Sequence, residues 1–327
     1  PKQLLRLFSD ESLLGETAQR VKSIVPNDHL FILTNEAQVA PTREALSNHP
    51  DVQIIGEPAK RDTAPAAALA TAMAYVQDPD AIIVLLPADQ LIKDVEAFQR
   101  NLSDAITRAN SGKSLISIAI KPTFPATGFG YLHLGEKQPT GASGTEVFSV
   151  KRFVEKPDLE TAKSYLDSGE YAWNAGMFVW RASAFLNVAD QHAPELSKFI
   201  RAFPKENQEQ FLTENFSQLP KISVDYAIME KATSVEAARA EFDWDDVGAW
   251  TAIPQHMSQD EDGNTIKGTA LSLDSSNNIL FSTKRQIAVC GVQDLVVVEV
   301  DDAVLVCHRD HVQNIKKLLP DLPEELV

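Results

Sequence analysis

Apolar runs with strand character alternate with helical segments along the first 120 residues, and this rhythm constrains the fold more than any other feature. The run Ala81–Leu86 is continuously apolar, which is typical of a strand buried on both faces of a sheet. The strand–helix–strand rhythm predicts an α/β fold with a doubly wound, mostly parallel (mixed) Rossmann-like sheet. The predicted strands are His29–Thr34, Val52–Ile55, Ala81–Leu86 and Ser114–Ile120, and the predicted helices are Ala64–Val76 and Val95–Ala109.

A polar, turn-like stretch at Gln259–Asn264 separates this pattern from a different one. Beyond it, short β-type runs follow one another closely and a last helix is expected near His311–Leu319. We therefore predict a large domain over residues 1–260 and a small β-rich, β-helix-like domain over residues 261–327. The predicted β-type runs are Thr269–Leu273, Asn278–Ser282, Ile287–Cys290, Leu295–Val300 and Ala303–Cys307.

Charge and composition exclude several classes of function. The 30 basic and 46 acidic residues give a formal charge of −16, so the chain lacks the basic face that nonspecific nucleic-acid binding needs. We expect no nucleic-acid partner. No apolar run reaches the ~18 residues that span a bilayer, so we expect no membrane association. The two cysteines, Cys290 and Cys307, provide no disulfide framework, which favours a reducing compartment and a cytoplasmic location.

Carboxylates mark two places where a metal ion could bind. Asp89 follows the buried run Ala81–Leu86 directly, and ligands of open α/β sheets bind beyond the carboxyl ends of the strands. Three aspartates, Asp243, Asp245 and Asp246, fall within four positions and repel one another unless a cation or hydrogen-bond donors relieve them. Mg²⁺ prefers such hard oxygen ligands. The structural alternatives are a turn-capping aspartate and a solvated acidic loop.

Four further motifs are modest when taken singly. Lys156, between Glu155 and Pro157, is a compact charge suited to phosphate, although the same residues also fit a surface ion pair. The segments Gly128–Tyr131 and Trp173–Phe178 combine glycine with polar or aromatic neighbours, as ordinary turns also do. Residues 57–66 join a strand to an Ala-rich helix. They supply N-cap residues for that helix, and they also supply two basic side chains that could face an anion.

Read in order, these motifs resemble the mannose-1-phosphate guanylyltransferase family of sugar-nucleotide pyrophosphorylases. The resemblance runs from Pro1-Lys2-Gln3 to the C-terminus, and the ordered set is specific although its members are not. It implies transfer of GMP from GTP to mannose 1-phosphate, giving GDP-mannose and pyrophosphate with Mg²⁺ as cofactor. The matching motifs are Glu57-Pro58, Arg61–Pro65, Leu86–Gln90, Gly128–Tyr131, Phe153–Pro157, Trp173–Phe178, Ser223–Ala227 and Trp244–Trp250.

The resemblance also implies roles for individual residues. Asp89 and Asp246 would hold the metal, and Asp246 is preferred to Asp245 because the family's carboxylate lies two residues before the glycine. Lys2 would neutralise the triphosphate and Lys156 the sugar phosphate. The substrate-binding residues would be Glu57, Arg61, Thr63, Gly130, Tyr131, Glu155, Asn174 and Gly176.

Some features depart from the family pattern. A glycine-rich phosphate-binding loop precedes Pro-Lys-Gln in this family, so we expect that loop and the first strand to precede residue 1. Gln90 stands where these enzymes often carry His, and Asp62 stands where Asn is common. Nothing follows the small C-terminal domain, whereas longer relatives carry a fused isomerase, so a single function is expected. The β-rich tail could pack against a second subunit, which would make a homodimer.

Three other functions compete with this interpretation. The first is the same chemistry on another sugar 1-phosphate, such as glucose or fucose 1-phosphate. The second is a non-catalytic, pyrophosphorylase-like regulatory subunit, which the presence of Asp89, Asp246, Lys2 and Lys156 argues against. The third is a glycosyltransferase with an Asp-x-Asp motif, which Asp243-Trp244-Asp245 fits in isolation but not in its context.

Overall fold

The structure is a computed structural model that describes residues 1–322, so the last five residues of the predicted C-terminal domain lie outside it. The chain forms two compact units. The larger unit comprises Leu14–Ala88 and Ile92–Trp244. The smaller unit comprises Pro1–Leu13, Asp89–Leu91 and the described part of Asp245–Val327. The predicted division at residues 260 and 261 stays a prediction, because compactness is a different criterion from sequence pattern.

The larger unit contains eight strands and eight α-helices among the described residues. Three 3₁₀ helices lie among them at Asn27–His29, Glu36–Gln38 and Phe216–Gln218, and Asp225–Met229 forms a π-helical turn. The strands are β1 (Phe31–Asn35), β2 (Gln53–Glu57), β3 (Ile82–Leu85), β4 (Leu115–Ile120), β5 (Gly130–Gln138), β6 (Val147–Glu155), β7 (Tyr171–Arg181) and β8 (Val235–Arg239). The α-helices are α1 (Leu13–Val21), α2 (Val39–Ala45), α3 (Thr63–Tyr75), α4 (Val95–Ser111), α5 (Leu159–Ser168), α6 (Ala182–His192), α7 (Pro194–Ala202) and α8 (Gln208–Asn215).

The main sheet has six strands in the order β3-β7-β4-β8-β6-β5. The mixed α/β class is as predicted, but the expectation of a mostly parallel sheet is wrong. Among the described strands of this sheet, only β4 and β8 pair in parallel, whereas the other pairings are antiparallel. Strands β3 and β4 run in the same direction, as their connecting helix predicts, but β7 lies between them. Strands β1 and β2 form a separate parallel pair.

Apolar packing on both faces of this sheet explains why β7 can occupy a central position. Of its side chains, Trp180 and Val179 are fully buried, in two different clusters. Helix α3 packs closely because its alanines are small, and Ala64, Ala67 and Ala68 are all fully buried. The Asp62 carboxylate caps this helix by accepting a hydrogen bond from the Thr63 amide.

The smaller unit has a β-rich part in which successive strands stack in parallel. The strands are β9 (Thr265–Lys267), β10 (Ala270–Leu273), β11 (Ile279–Ser282), β12 (Ile287–Cys290), β13 (Leu295–Glu299) and β14 (Val304–His308). Strand β11 lies between β9 and β13, and β10 pairs with β12, so the strands repeat as rungs on two faces. Strand β14 closes one edge by antiparallel pairing with β13. Short 3₁₀ helices lie at Lys2–Leu4, Trp250–Gln255, Arg309–Lys317 and Leu319–Asp321, so the expected last helix is of the 3₁₀ type.

Among residues 1–322, no helix is both long and apolar enough to cross a membrane.

Candidate functional site

Lys2, Asp89 and Asp246 come together within the smaller unit. The Lys2 ammonium lies 2.8 Å from Asp89 Oδ2 and also donates a hydrogen bond to the backbone carbonyl of Asp246. The side chains of Lys2 and Asp89 are 31% and 38% exposed, so a ligand can reach them. The structure therefore brings together three of the four residues that were predicted to be catalytic, and they come from three distant segments of the chain.

The electrostatics of Asp246 suit a cation. Burial raises the pKa of its carboxyl above the usual value, and the neighbouring Asp245 and Asp89 charges raise it further. Lys2 and the Gly248 amide act in the opposite direction. A carboxylate with this surplus of negative charge gains stability from a nearby divalent cation. The oxygen-only donor set of Asp89 and Asp246 fits Mg²⁺, which commonly takes one or two carboxylates together with substrate phosphates.

Asp245 is committed to other contacts. Its Oδ1 accepts a hydrogen bond from the Val247 amide at 2.7 Å, and its Oδ2 lies 2.7 Å from His256 Nε2. Its backbone pairs in both directions with Leu91. These contacts leave Asp246 as the better candidate ligand of the two. Within residues 1–322, no group of three or more His, Cys, Asp or Glu side chains is arranged to hold a metal ion. A metal at Asp89 and Asp246 would therefore need further ligands, such as substrate phosphate oxygens.

The Asp-x-Asp alternative loses support from the placement of Asp243. In the larger unit, its carboxylate accepts hydrogen bonds from the backbone amides of Lys93 and Asp94, at 3.0 and 2.7 Å for the Oδ1 atom. These contacts hold the chain at the start of α4. Asp243 therefore has a local structural role, which accounts for its place in the acidic cluster without a metal ion.

A second group of predicted residues lies in one row across three strands of the larger unit. Gly130 of β5 is the register partner of both Glu155 on β6 and Asn174 on β7. A Cβ atom at position 130 would lie 2.5 Å from Glu155 Oε2 and 3.3 Å from the Asn174 Cβ atom. Glycine is therefore required for these two polar side chains to approach each other across the strand between them.

Asn174 connects this row to a carboxylate to which the sequence gave no role. Its side-chain oxygen accepts hydrogen bonds from the Ser117 hydroxyl and the Gly176 amide, and its Nδ2 donates to Asp225 Oδ1 at 2.9 Å. Burial, followed by repulsion from Glu155, raises the pKa of Asp225 to about 6. The motif Ser223-Val224-Asp225 was the only signal in the sequence, and it did not indicate this contact.

Lys156 balances the charge of the row. Its ammonium lies 2.7 Å from Glu155 Oε1, and this hydrogen bond, with the nearby Asp225 charge, raises the pKa of Lys156. Its side chain is 60% exposed, whereas that of Glu155 is 9% exposed. The lysine therefore has one anchored partner and enough freedom to bind an anion from solution.

Two predicted residues beside the row differ in their placement. Gly176 has a φ of +69°, within a bulge where β7 loses register with β4, so its amide can turn toward Asn174. Tyr131 is fully buried, and its hydroxyl donates to the Ala126 carbonyl at 2.9 Å. This placement speaks against direct contact between the Tyr131 side chain and a substrate.

The predicted nucleotide-facing segment is held largely by internal contacts. The Arg61 guanidinium donates to the Ser217 carbonyl, and the Thr63 hydroxyl accepts a hydrogen bond from the Val224 amide at 2.9 Å. Glu57 ends β2, and burial raises the pKa of its carboxyl to about 7. The contacts of Arg61 and Thr63 have structural roles, whereas the raised pKa of Glu57 has no such structural role to explain it.

The fold and these two groups of residues define a class: an α/β nucleotidyltransferase with a carboxylate pair, two lysines and a short β-helix. Residues 1–263 match the nucleotidyl transferase family, and residues 268–322 match the mannose-phosphate isomerase/GMP-like β-helix domain.

Individual relatives carry more specific names than the matching family models. A Klebsiella pneumoniae mannose-1-phosphate guanylyltransferase is 36% identical over 99% of this chain and 69% of its own length. The Escherichia coli K12 protein of the same name is 35% identical over 98% of this chain and 69% of its own length. A solved Thermus thermophilus structure, described as a mannose-1-phosphate geranyltransferase, superposes with a TM-score of 0.84 at 29% identity, covering 98% of this chain and 92% of its own. The chain belongs to the mannose-1-phosphate guanylyltransferase family.

Proposed function

We propose that this chain transfers GMP from GTP to α-D-mannose 1-phosphate, giving GDP-mannose and pyrophosphate. A phosphate oxygen of the sugar phosphate forms a bond to the α-phosphorus of GTP, and the bond from that phosphorus to the bridging oxygen of pyrophosphate breaks in line. The observation that carries the proposal is the ion pair of Lys2 with Asp89 beside Asp246, in a chain of this family.

Metal binding is assigned to the smaller unit. Asp89 and Asp246 would hold Mg²⁺, which when bound supplies positive charge to the triphosphate oxygens in the transition state. Lys2 supplies a further positive charge to the same triphosphate. Since this reaction needs little covalent chemistry from the protein, these residues act by positioning and by charge neutralisation.

Sugar recognition is assigned to the larger unit. Lys156 would bind the phosphate of mannose 1-phosphate, because its ammonium is exposed while its partner Glu155 is held in place. The row of Gly130, Glu155 and Asn174, with the Gly176 backbone, presents both donors and acceptors to sugar hydroxyls. Asp225 joins this set through its hydrogen bond to Asn174. For the nucleotide, Glu57, Arg61 and Thr63 remain the candidates.

Substrate choice is tested by comparing GTP with the other nucleoside triphosphates, and mannose 1-phosphate with glucose and fucose 1-phosphates. We expect the highest kcat/KM for GTP with mannose 1-phosphate. A clearly higher kcat/KM for another sugar 1-phosphate would support the first alternative. Absence of pyrophosphate release with every pair would favour a regulatory subunit.

The metal assignment is tested by Asp246→Ala, with Asp243→Ala as the matched control in the same acidic cluster. We expect Asp246→Ala to lower the rate of pyrophosphate release by about 10³-fold, since a preorganised charge at the transition state is lost. Asp243→Ala removes a backbone cap and should retain most of the activity. Persistent pyrophosphate release by Asp246→Ala would show that the metal is held elsewhere.

We also propose that the chain forms a homodimer through its C-terminal β-strands. Leu271 and Leu273 on β10 are 66% and 62% exposed, and their register partners on β12 are the exposed residues Ala288 and Cys290. These four side chains make one apolar face, and such faces commonly mark contacts between subunits. A second copy of the chain carries the same face, as a two-fold interface requires.

A cytoplasmic location is proposed on the chemistry of the cysteines. Cys290 and Cys307 are both free thiols, one exposed and one partly buried. Free thiols of this kind persist in a reducing compartment.

A further inference from the structure

His256 makes a contact that none of the roles above uses. It follows the 3₁₀ helix Trp250–Gln255 in the smaller unit, and its side chain is only 17% exposed. Its Nε2 lies 2.7 Å from Asp245 Oδ2, and its ring meets the Phe8 ring edge-on with centroids 5.6 Å apart. It therefore contacts one residue beside Asp246 and one residue of Pro1–Leu13, the segment that contains Lys2.

Asp245 links His256 to the backbone near the two candidate metal ligands. Its backbone amide and carbonyl pair with Leu91 at 3.1 and 2.9 Å, and Leu91 is two residues from Asp89. Its other carboxylate oxygen binds the Val247 amide, directly after Asp246. Asp245 therefore holds the local backbone near both candidate ligands, through its main chain at Leu91 and through its side chain at Val247.

The backbone after Asp246 needs such support. Val247 has a φ of +47°, which is unfavourable for a β-branched residue, and its side chain is only 3% exposed. A residue in this conformation persists only when its surroundings fix it. The Asp245 carboxylate and the packing of Val247 against Leu7, Leu91 and Ile253 supply that constraint.

We propose that His256 is a positioning residue for metal binding: by holding Asp245, it fixes the Asp246 carboxylate relative to Asp89. This inference rests on the proposed function of Asp89 and Asp246 as ligands. Groups that orient metal ligands through hydrogen bonds alter metal affinity by about 10- to 100-fold when removed. His256 acts in this way without touching the metal or the substrates.

The test compares His256→Gln with His256→Asn in the full chain with GDP-mannose saturating, which allows no turnover without pyrophosphate. The Gln amide can reach Asp245 as Nε2 does, whereas the Asn amide is one methylene too short. Mn²⁺ binding is measured by electron paramagnetic resonance. We expect His256→Asn to weaken Mn²⁺ binding about tenfold and His256→Gln to restore binding to near the wild-type value. Binding of GDP-mannose in EDTA should be equal in all three proteins.

The exposed His308 of the same unit provides the control, His308→Asn, which should bind Mn²⁺ as the wild type does. Equal Mn²⁺ affinity in the wild type and His256→Asn overturns the inference. Equal losses in both His256 variants also overturn it, because packing rather than the hydrogen bond would then be responsible. Failure of the wild type itself to bind Mn²⁺ would refute the metal assignment, and GDP-mannose synthesis by the wild type tests the proposed reaction separately.

Discussion

Lys2 carries a charge that two anions would share during the proposed reaction. In the structure its ammonium pairs with Asp89, and with GTP bound it would also face the triphosphate. A metal ion at Asp89 and Asp246 would repel this ammonium, and a bound triphosphate, which attracts both cations, would offset that repulsion. Binding of the triphosphate and binding of the metal should therefore favour each other. A neutral side chain at position 2 would supply no positive charge to the triphosphate.

We expect Lys2→Met to lower kcat/KM for GTP by about 100-fold, which corresponds to about 3 kcal/mol of transition-state stabilisation. The measurement is steady-state pyrophosphate release as GTP is varied at saturating mannose 1-phosphate. Lys267→Met is the control, because Lys267 belongs to the same unit and its ammonium contacts the Ser9 carbonyl. A Lys2→Met enzyme with unchanged kcat/KM would remove Lys2 from the proposed mechanism.

Glu57 gives a pH dependence of stability with a defined sign. Burial raises the pKa of its carboxyl from 4.5 to about 7 in the folded chain. Between these values the unfolded chain loses the proton while the folded chain keeps it, so stability falls as pH rises from about 4.5 to about 7. The stabilising contribution is fully present below 4.5 and is lost above 7.

Replacement of Glu57 by Gln should remove this fall, because the amide does not ionise. We expect Glu57→Gln to be more stable than the wild type at pH 8, by on the order of 2 kcal/mol, and the difference to vanish near pH 4.5. Urea unfolding at several pH values measures it. Glu160→Gln, at a side chain that is 92% exposed, shows the effect of losing a negative charge alone. A Glu57→Gln difference that does not change with pH would contradict the burial of this carboxyl.

At the level of elements, the row across β5, β6 and β7 depends on close approach at Gly130. In Gly130→Ala the new methyl group would lie 2.5 Å from Glu155 Oε2, so Glu155 must move. We expect the KM for mannose 1-phosphate to rise at least about tenfold, because a small displacement of a substrate-binding group has a large kinetic effect. The KM for GTP should change little.

The matched control for this prediction is Gly128→Ala, two residues earlier. A Cβ atom at Gly128 would meet no atom within 4 Å, so this variant changes the same residue type without a clash. Equal KM values for mannose 1-phosphate in the two variants would argue against a role of the row in sugar binding.

Elements were predictable where the apolar pattern is local. Strands β1 to β4 and helices α3 and α4 lie close to the predicted ranges, because a continuous apolar or Ala-rich segment can be recognised from its own sequence. Strands β5, β7 and β8 were missed, since they mix buried apolar residues with Gly, Asn, His and Glu. Strand direction was also out of reach, because β7 enters between β3 and β4 through pairing that no local pattern encodes.

In the candidate site, too, residues within sequence motifs were predictable, whereas contacts between distant side chains were not. The ordered motifs nominated Lys2, Asp89 and Asp246, and the structure brings them together. The contacts of Asn174 with Asp225 and of Asp245 with His256 were not predicted, because a hydrogen bond between side chains distant in sequence leaves no periodic signal. Tyr131 shows the converse: its motif nominated it for substrate, but its side chain completes the core.

For the whole molecule, the apolar face of β10 and β12 predicts the oligomeric state. We expect the double variant Leu271→Glu/Leu273→Glu to be monomeric where the wild type is dimeric, because four carboxylates would be brought together at a two-fold interface. Light scattering coupled to size-exclusion chromatography measures the mass. Leu159→Glu, at a residue that is 49% exposed in the larger unit, should leave the dimer intact. A monomeric wild type would refute the homodimer.

The order of synthesis on the ribosome adds a consequence to the long-range contact between Lys2 and Asp246. These residues are 244 positions apart in the chain, yet they meet in the same unit. A nascent chain that already displays Lys2 and Asp89 cannot assemble the carboxylate pair until Asp246 has left the exit tunnel. Because domains tend to fold as they emerge, Leu14–Ala88 and much of Ile92–Trp244 can fold earlier. The proposed metal site is therefore completed only after every residue of the larger unit has been synthesised.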